Sequence, residues 1–101
     1  MLFRSQSGWF QVGGTSLGAP SWSAILASAD QVRGAAGEPR LTSAGDAAQQ
    51  AVYASSGHLG QILTGSNGFC PDICTAGPGY NFVTGLGSPR TGLDATLAAV
   101  R

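Results

Sequence analysis

The stretch 16–33 limits the possible folds more than any other part of the chain. Almost every residue in it is apolar or small, with Trp22, Ile25, Leu26, Ala29 and Val32 prominent. Gly13 and Gly14 stand before it and Gly34 just beyond it. Glycine permits a sharp bend on entry, and a glycine past the last apolar position is a usual helix stop. A helix that is apolar on nearly every side is normally sunk in a large domain. The sequence predicts a buried helix over 16–33, with Pro20 in its first turn, where a missing N–H costs little. A short strand or strand end at 9–12 leads into it.

Composition points the same way. The chain has 101 residues, enough for one domain at most. By size scaling such a domain buries roughly 65% of its unfolded surface. Its hydrophobic fraction is 43%, yet 16 residues are Gly and Ala and Ser are abundant, so each apolar side chain is small. At about 25 cal/mol per Å² such residues contribute little area each. Only 10% of residues are charged, too few to cover a surface well. The chain reads as one layer of a larger protein.

Further along, Ala44, Ala47, Ala48, Ala51 and Val52 recur at i, i+3, i+4, i+7 and i+8, predicting a helix over 43–53. Residues 55–89 are rich in Gly, Pro, Asn and Ser, and a loop of that length inside a compact domain is usually ordered by function or a ligand. A last helix is expected over 91–100, capped by Thr91, with Asp94 in its first turn and Leu93, Leu97 and Val100 facing inward.

Charge excludes several roles. Five Arg balance five Asp and Glu, so there is no electrostatic footprint for DNA, RNA or an anionic membrane. No apolar run reaches the ~18 residues needed to span a bilayer, and residues 1–10 do not form a signal peptide. Cys70 and Cys74 lie close enough to form a small local disulfide, which would suit an oxidising compartment; two free thiols are the alternative.

The segment Gly13-Gly14-Thr15-Ser16-Leu17-Gly18-Ala19-Pro20 carries the chemistry. A serine at the head of a rigid helix has its Oγ held at a fixed point. The first-turn amides lack helical partners and, with the helix dipole, can stabilise a developing oxyanion. The glycines leave room for a substrate backbone. Ser16 is also a residue type that simply caps helices. The glycine pair and the apolar helix favour a nucleophile.

Gly14-Thr15-Ser16 followed by Ala19-Pro20 resembles the serine motif of subtilisin-like peptidases. The doubled glycine and Pro20-Ser21-Trp22-Ser23-Ala24 resemble the sedolisin family (serine-carboxyl peptidases) more closely, as does the later run from Ala76-Gly77-Pro78-Gly79-Tyr80-Asn81 to Gly85-Leu86-Gly87-Ser88-Pro89. The resemblance implies the C-terminal part of a subtilisin-like α/β catalytic domain, a doubly wound parallel sheet with helices on both faces. Residues 1–101 would supply mostly helices and a long calcium-type loop. It implies a secreted endopeptidase acting on polypeptides, with Ser16 as nucleophile supported by the Gly14-Thr15 turn.

In that family a glutamate base, a supporting aspartate and an oxyanion-hole aspartate all precede the serine. None of the fifteen residues before Ser16 is acidic, and Glu38 follows the helix. An unassisted serine hydroxyl is a weak nucleophile, so the chain by itself is expected to be inactive and to need the N-terminal part of the same domain.

The family also binds calcium in its C-terminal loop through an Asp-Ile pair, two glycine carbonyls and a final aspartate. Here Gln61-Ile62 stand at the pair, Gly77 and Gly79 at the glycines and Asn81 at the last position. Asp72-Ile73 offer a second register. Amide oxygens bring no charge to a hard cation, so a weakened calcium site is expected.

Two rival readings compete. Gly14-Thr15-Ser16-Leu17-Gly18 also fits the G-x-S-x-G elbow of α/β-hydrolases, with Asp46 and His58 following in triad order. The missing acids and neutralised loop also suit a non-catalytic remnant or binding module.

Overall fold

A computed structural model describes residues 2–43, 45–70 and 72–101. Strands β1 (Leu2–Ser5) and β2 (Gly8–Gln11) form an antiparallel hairpin closed by a two-residue turn at Gln6-Ser7, and Gly8, which opens β2, takes a positive φ of 110°. Helix α1 (Thr15–Ala35) follows, then a 3-10 turn at Leu41–Ser43 and helix α2 (Ala47–Ala54). A second antiparallel pair, β3 (Leu59–Gly60) with β4 (Ser88–Pro89), brackets the long loop before helix α3 (Leu93–Ala99). The chain is thus a small mixed domain of three helices and short two-stranded sheets. Both sheets are antiparallel; among the described residues there is no parallel pairing of the doubly wound kind.

One face of α1 organises the core. Trp22, Ile25, Leu26 and Ala29 recur at helical spacing and meet Leu41, Ala51 of α2, Leu59, and Leu93 and Leu97 of α3. The other faces of α1 stay open, and Ser21 and Ser23 bond back to the carbonyls of Leu17 and Ala19 at 2.8 and 3.1 Å. The expectation of a helix buried all round therefore fails within this chain, because nothing among the described residues packs on the solvent side. The body is flat, 47 × 43 × 23 Å, with a radius of gyration of 16.2 Å. A compact domain of this length has about 13 Å. Phe69, Phe82, Trp9 and Leu2 are all exposed, as suits a layer with too little apolar volume to close on itself.

Two buried charged residues pin the layer together. Asp30, only 7% exposed, accepts the amide of Leu41 at 2.6 Å and the hydroxyl of Thr42 at 2.5 Å. Arg33, 8% exposed, donates to the carbonyl of Pro39 at 2.7 Å, that of Ala98 at 3.2 Å, and that of Val100. The carboxylate fixes the start of the 3-10 turn. The guanidinium supplies donors to the otherwise unpaired carbonyls at the end of α3.

Several helix limits differ from the sequence reading. Helix α1 begins at Thr15, so Pro20 lies in the second turn and cannot give an N–H to the Ser16 carbonyl. Helix α1 also continues one residue past Gly34, because the Arg33 and Gly34 carbonyls are taken up by the amides of Ala36, Gly37 and Glu38. The helix expected over 43–53 starts only at Ala47: Asp30 draws 41–42 into a 3-10 turn, and Gly45 takes a φ of 45°. Ala44 lies outside the described residues. Thr91 does not cap α3; the N-cap is Gly92 in the left-handed region, φ 86°. Asp94 does sit in the first turn and accepts the Ser28 hydroxyl at 3.3 Å, tying α3 to α1.

Residues 55–89 are ordered by their own backbone. The bridges Ser66↔Thr75 and Asn81↔Gly85 close two sub-loops, and Cys70 and Cys74 are joined by a disulfide rather than left as free thiols. Gly87, at φ 111°, lets the chain press on Gly60, where a Cβ would stand 2.1 Å from the Gly60 carbonyl oxygen.

Candidate functional site

Ser16 is the second residue of α1, one place beyond the bend. Gly14, at φ 124° and ψ 176°, holds a conformation side chains rarely adopt, and it is the N-cap of the helix. Its carbonyl accepts the amides of Leu17 and Gly18 at 3.0 and 3.1 Å. The amides of Thr15 and Ser16 lie ahead of that first bond and have no backbone acceptor among the described residues.

The capping alternative for Ser16 therefore fails: Gly14 holds that position and no side chain caps the helix. The Ser16 hydroxyl is exposed and makes no hydrogen bond among the described residues. Open space surrounds the bend, since a Cβ added at Gly13, Gly14 or Gly18 would meet nothing within 4 Å. Thr15 is likewise exposed beside it. These features suit approach of an extended backbone. Cavities elsewhere on the chain, on α1 and against α2 and α3, are lined by other residues.

Among the described residues no carboxylate or imidazole bonds to Ser16. Asp46 stands exposed at the N-cap of α2, and His58 is exposed in the 3-10 turn after it, with only its backbone engaged. Among the described residues no hydrogen bond joins Ser16, Asp46 and His58. The α/β-hydrolase triad is not assembled.

Of the calcium-type positions, Gln61 is joined to Gly79 and Asn81 to Gly77, in each case by a hydrogen bond. Gln61 Oε1 accepts the Gly79 amide at 3.1 Å. Asn81 Oδ1 accepts the amides of Val83 and Thr84 at 3.1 and 2.9 Å and the Thr84 hydroxyl at 3.0 Å. Asn81 Nδ2 donates to the Gly77 carbonyl at 3.1 Å. Ile62 is exposed next to Gln61 in sequence, and Asp72 lies exposed inside the disulfide loop. Among the described residues no group of three His, Cys, Asp or Glu side chains is placed to hold a metal ion. The set as it stands turns an N–H, not a free oxygen, toward the Gly77 carbonyl, and it carries no carboxylate, so it does not fit a hard divalent cation.

Sequence reasoning missed Asp30 and Arg33. Both were submerged in the apolar run, and only their burial shows that they bind backbone groups from distant segments. For Asp30, burial alone would push the carboxyl up. The Thr42 hydroxyl, the amides of Leu41 and Thr42 and the charge of Arg40 outweigh it and hold the group below its ordinary range. A cavity near 500 Å³ is lined by Ser23, Gln31, Arg40 and Thr42 beside this carboxylate. Both Asp30 oxygens are already engaged there.

No family model, curated protein or solved structure matches this chain. No helix among the described residues is long and apolar enough to cross a membrane.

Proposed function

We propose that the chain carries the nucleophile segment of a sedolisin-like serine endopeptidase, with Ser16 as the attacking residue. The observation that supports this best is the helix head. A Gly14 bend at positive φ presents an exposed, uncommitted hydroxyl beside first-turn amides that have no backbone acceptor among the described residues. In the proposed step Ser16 Oγ bonds to the scissile carbonyl carbon while its proton passes to a carboxylate base. The Ser16 amide donates to the oxyanion. Collapse breaks the C–N bond, the protonated amine leaves, and water hydrolyses the acyl-enzyme. The base and its supporting acid must come from outside these residues, since none of the fifteen before Ser16 is acidic. The open α1 face is where an N-terminal part of the same domain would pack. A carboxylate base implies an acidic optimum, and the disulfide suits a secreted protein.

A second reading, a non-catalytic remnant or binding module, is favoured by one observation: among the described residues no side chain accepts a hydrogen bond from the Ser16 hydroxyl. A serine-reactive fluorophosphonate probe on the full-length product at acidic pH separates the two. Labelling of the protein that disappears in Ser16→Ala supports the peptidase. Labelling unchanged by that substitution removes Ser16 as nucleophile, and absence of labelling in the parent protein supports the second reading.

A further inference from the structure

We infer that the loop 61–84 is organised by side-chain amides in place of a cation, with the Asn81 Nδ2 group occupying the metal's role, so that its order is independent of calcium. The Asn81 orientation is fixed by its neighbours. Two backbone N–H groups, of Val83 and Thr84, converge on one end of the side chain, and only the oxygen can accept them. The other end is therefore the NH2, and it meets the Gly77 carbonyl at 3.1 Å. The Asn81 backbone exchanges two bonds with Gly85, at 3.1 and 2.8 Å, which holds the residue in register. On the opposite arm Gln61 Oε1 takes the Gly79 amide, two residues from the carbonyl that Asn81 holds.

Three of the five groups that would face an ion, the Gln61 and Asn81 side-chain oxygens and the Gly77 carbonyl, are thereby paired within the loop. A cation entering here would have to displace the Asn81 donor from Gly77, and would meet neutral oxygens in return. An amide donor does for one carbonyl what a metal ion does for several: it neutralises an oxygen lone pair that would otherwise face inward unpaired. This inference stands whether or not Ser16 is a nucleophile, because it concerns how the loop is held.

The test measures thermal unfolding and amide hydrogen exchange of the full-length product in calcium and in chelator, with terbium luminescence as a direct probe of the metal alone. The parent protein is expected to melt at the same temperature in both buffers and to give no terbium signal. A melting temperature that falls in chelator, or stoichiometric terbium emission quenched by calcium, overturns the inference.

Asn81→Asp keeps the acceptor for Val83 and Thr84 and replaces the donor to Gly77 with a charged carboxylate oxygen that cannot bond that carbonyl. It should lower the melting temperature in chelator by at least about 4–8 °C, the loss of one hydrogen bond, with the repulsion between carboxylate and carbonyl oxygens adding to it. It should speed exchange at residues 77–80 and leave 83–84 protected, whereas Asn81→Ala should expose both. Unchanged exchange at 77–80 in Asn81→Asp would show that the amide nitrogen has no organising part. If neither variant folds, the chelator and terbium measurements on the parent still decide.

Discussion

Arg33 is where a single substitution tests most of the packing. Its guanidinium spans three segments, reaching the carbonyls of Pro39, Ala98 and Val100 from a site 8% exposed. Arg33→Met keeps the apolar stem and removes every donor. Pro39 is exposed, so its carbonyl can turn to water at little cost. Ala98 and Val100 are half-buried at the end of α3 and share one nitrogen. A hydrogen bond from a charged donor contributes about 1.5–3 kcal/mol, and the gain from no longer burying a guanidinium offsets part of the two that are lost. The expected net loss is about 3 kcal/mol, a large share of the roughly 5–15 kcal/mol that holds a domain of this size. Urea unfolding followed by circular dichroism measures it. Arg33→Lys should recover only part, since one compact ammonium cannot present the planar fork that reaches separate carbonyls. A loss in Arg33→Met of less than about 1 kcal/mol would refute the reasoning, because it would mean that water replaces all three contacts.

Asp30 predicts the acid limb of stability. Its carboxyl is held below the ordinary value of 3.8, so it adds stability above that pH and loses it as pH falls through the lower folded value. Asp30→Asn should flatten the decline below about pH 4 in pH-dependent melts; an unchanged acid limb would contradict the hydrogen-bond assignment. Gly87→Ala should separate β3 from β4, since the new Cβ would overlap the Gly60 backbone at 2.1 Å and the residue would carry a φ of 111°. Hydrogen exchange at Gly60 and Arg90 reads this directly, and protection equal to the parent's would show that the close approach is not required.

The local chemistry was legible in the chain itself. The glycine pair, the apolar run and the glycine beyond it sufficed to place a long helix with Ser16 at its head, because bend and helix signals act over a few residues. The terminal helix was also readable from Leu93 and Leu97, which end up buried at 2% and 0% exposure. The helix limits were less so. Asp30 draws the amides of Leu41 and Thr42, and Gly92 replaces Thr91 as the cap, and neither follows from spacing.

What the sequence determined by itself is where the backbone must bend and which stretch must be apolar: φ preferences and side-chain periodicity are properties of neighbours. Tertiary structure alone decided which polar groups meet. It placed Gln61 against Gly79 and Arg33 against the end of α3, and among the described residues it left Ser16 without a hydrogen-bond partner. Hydrogen bonds between residues far apart in the chain depend on how helices and loops come to rest on one another, and no local pattern encodes that.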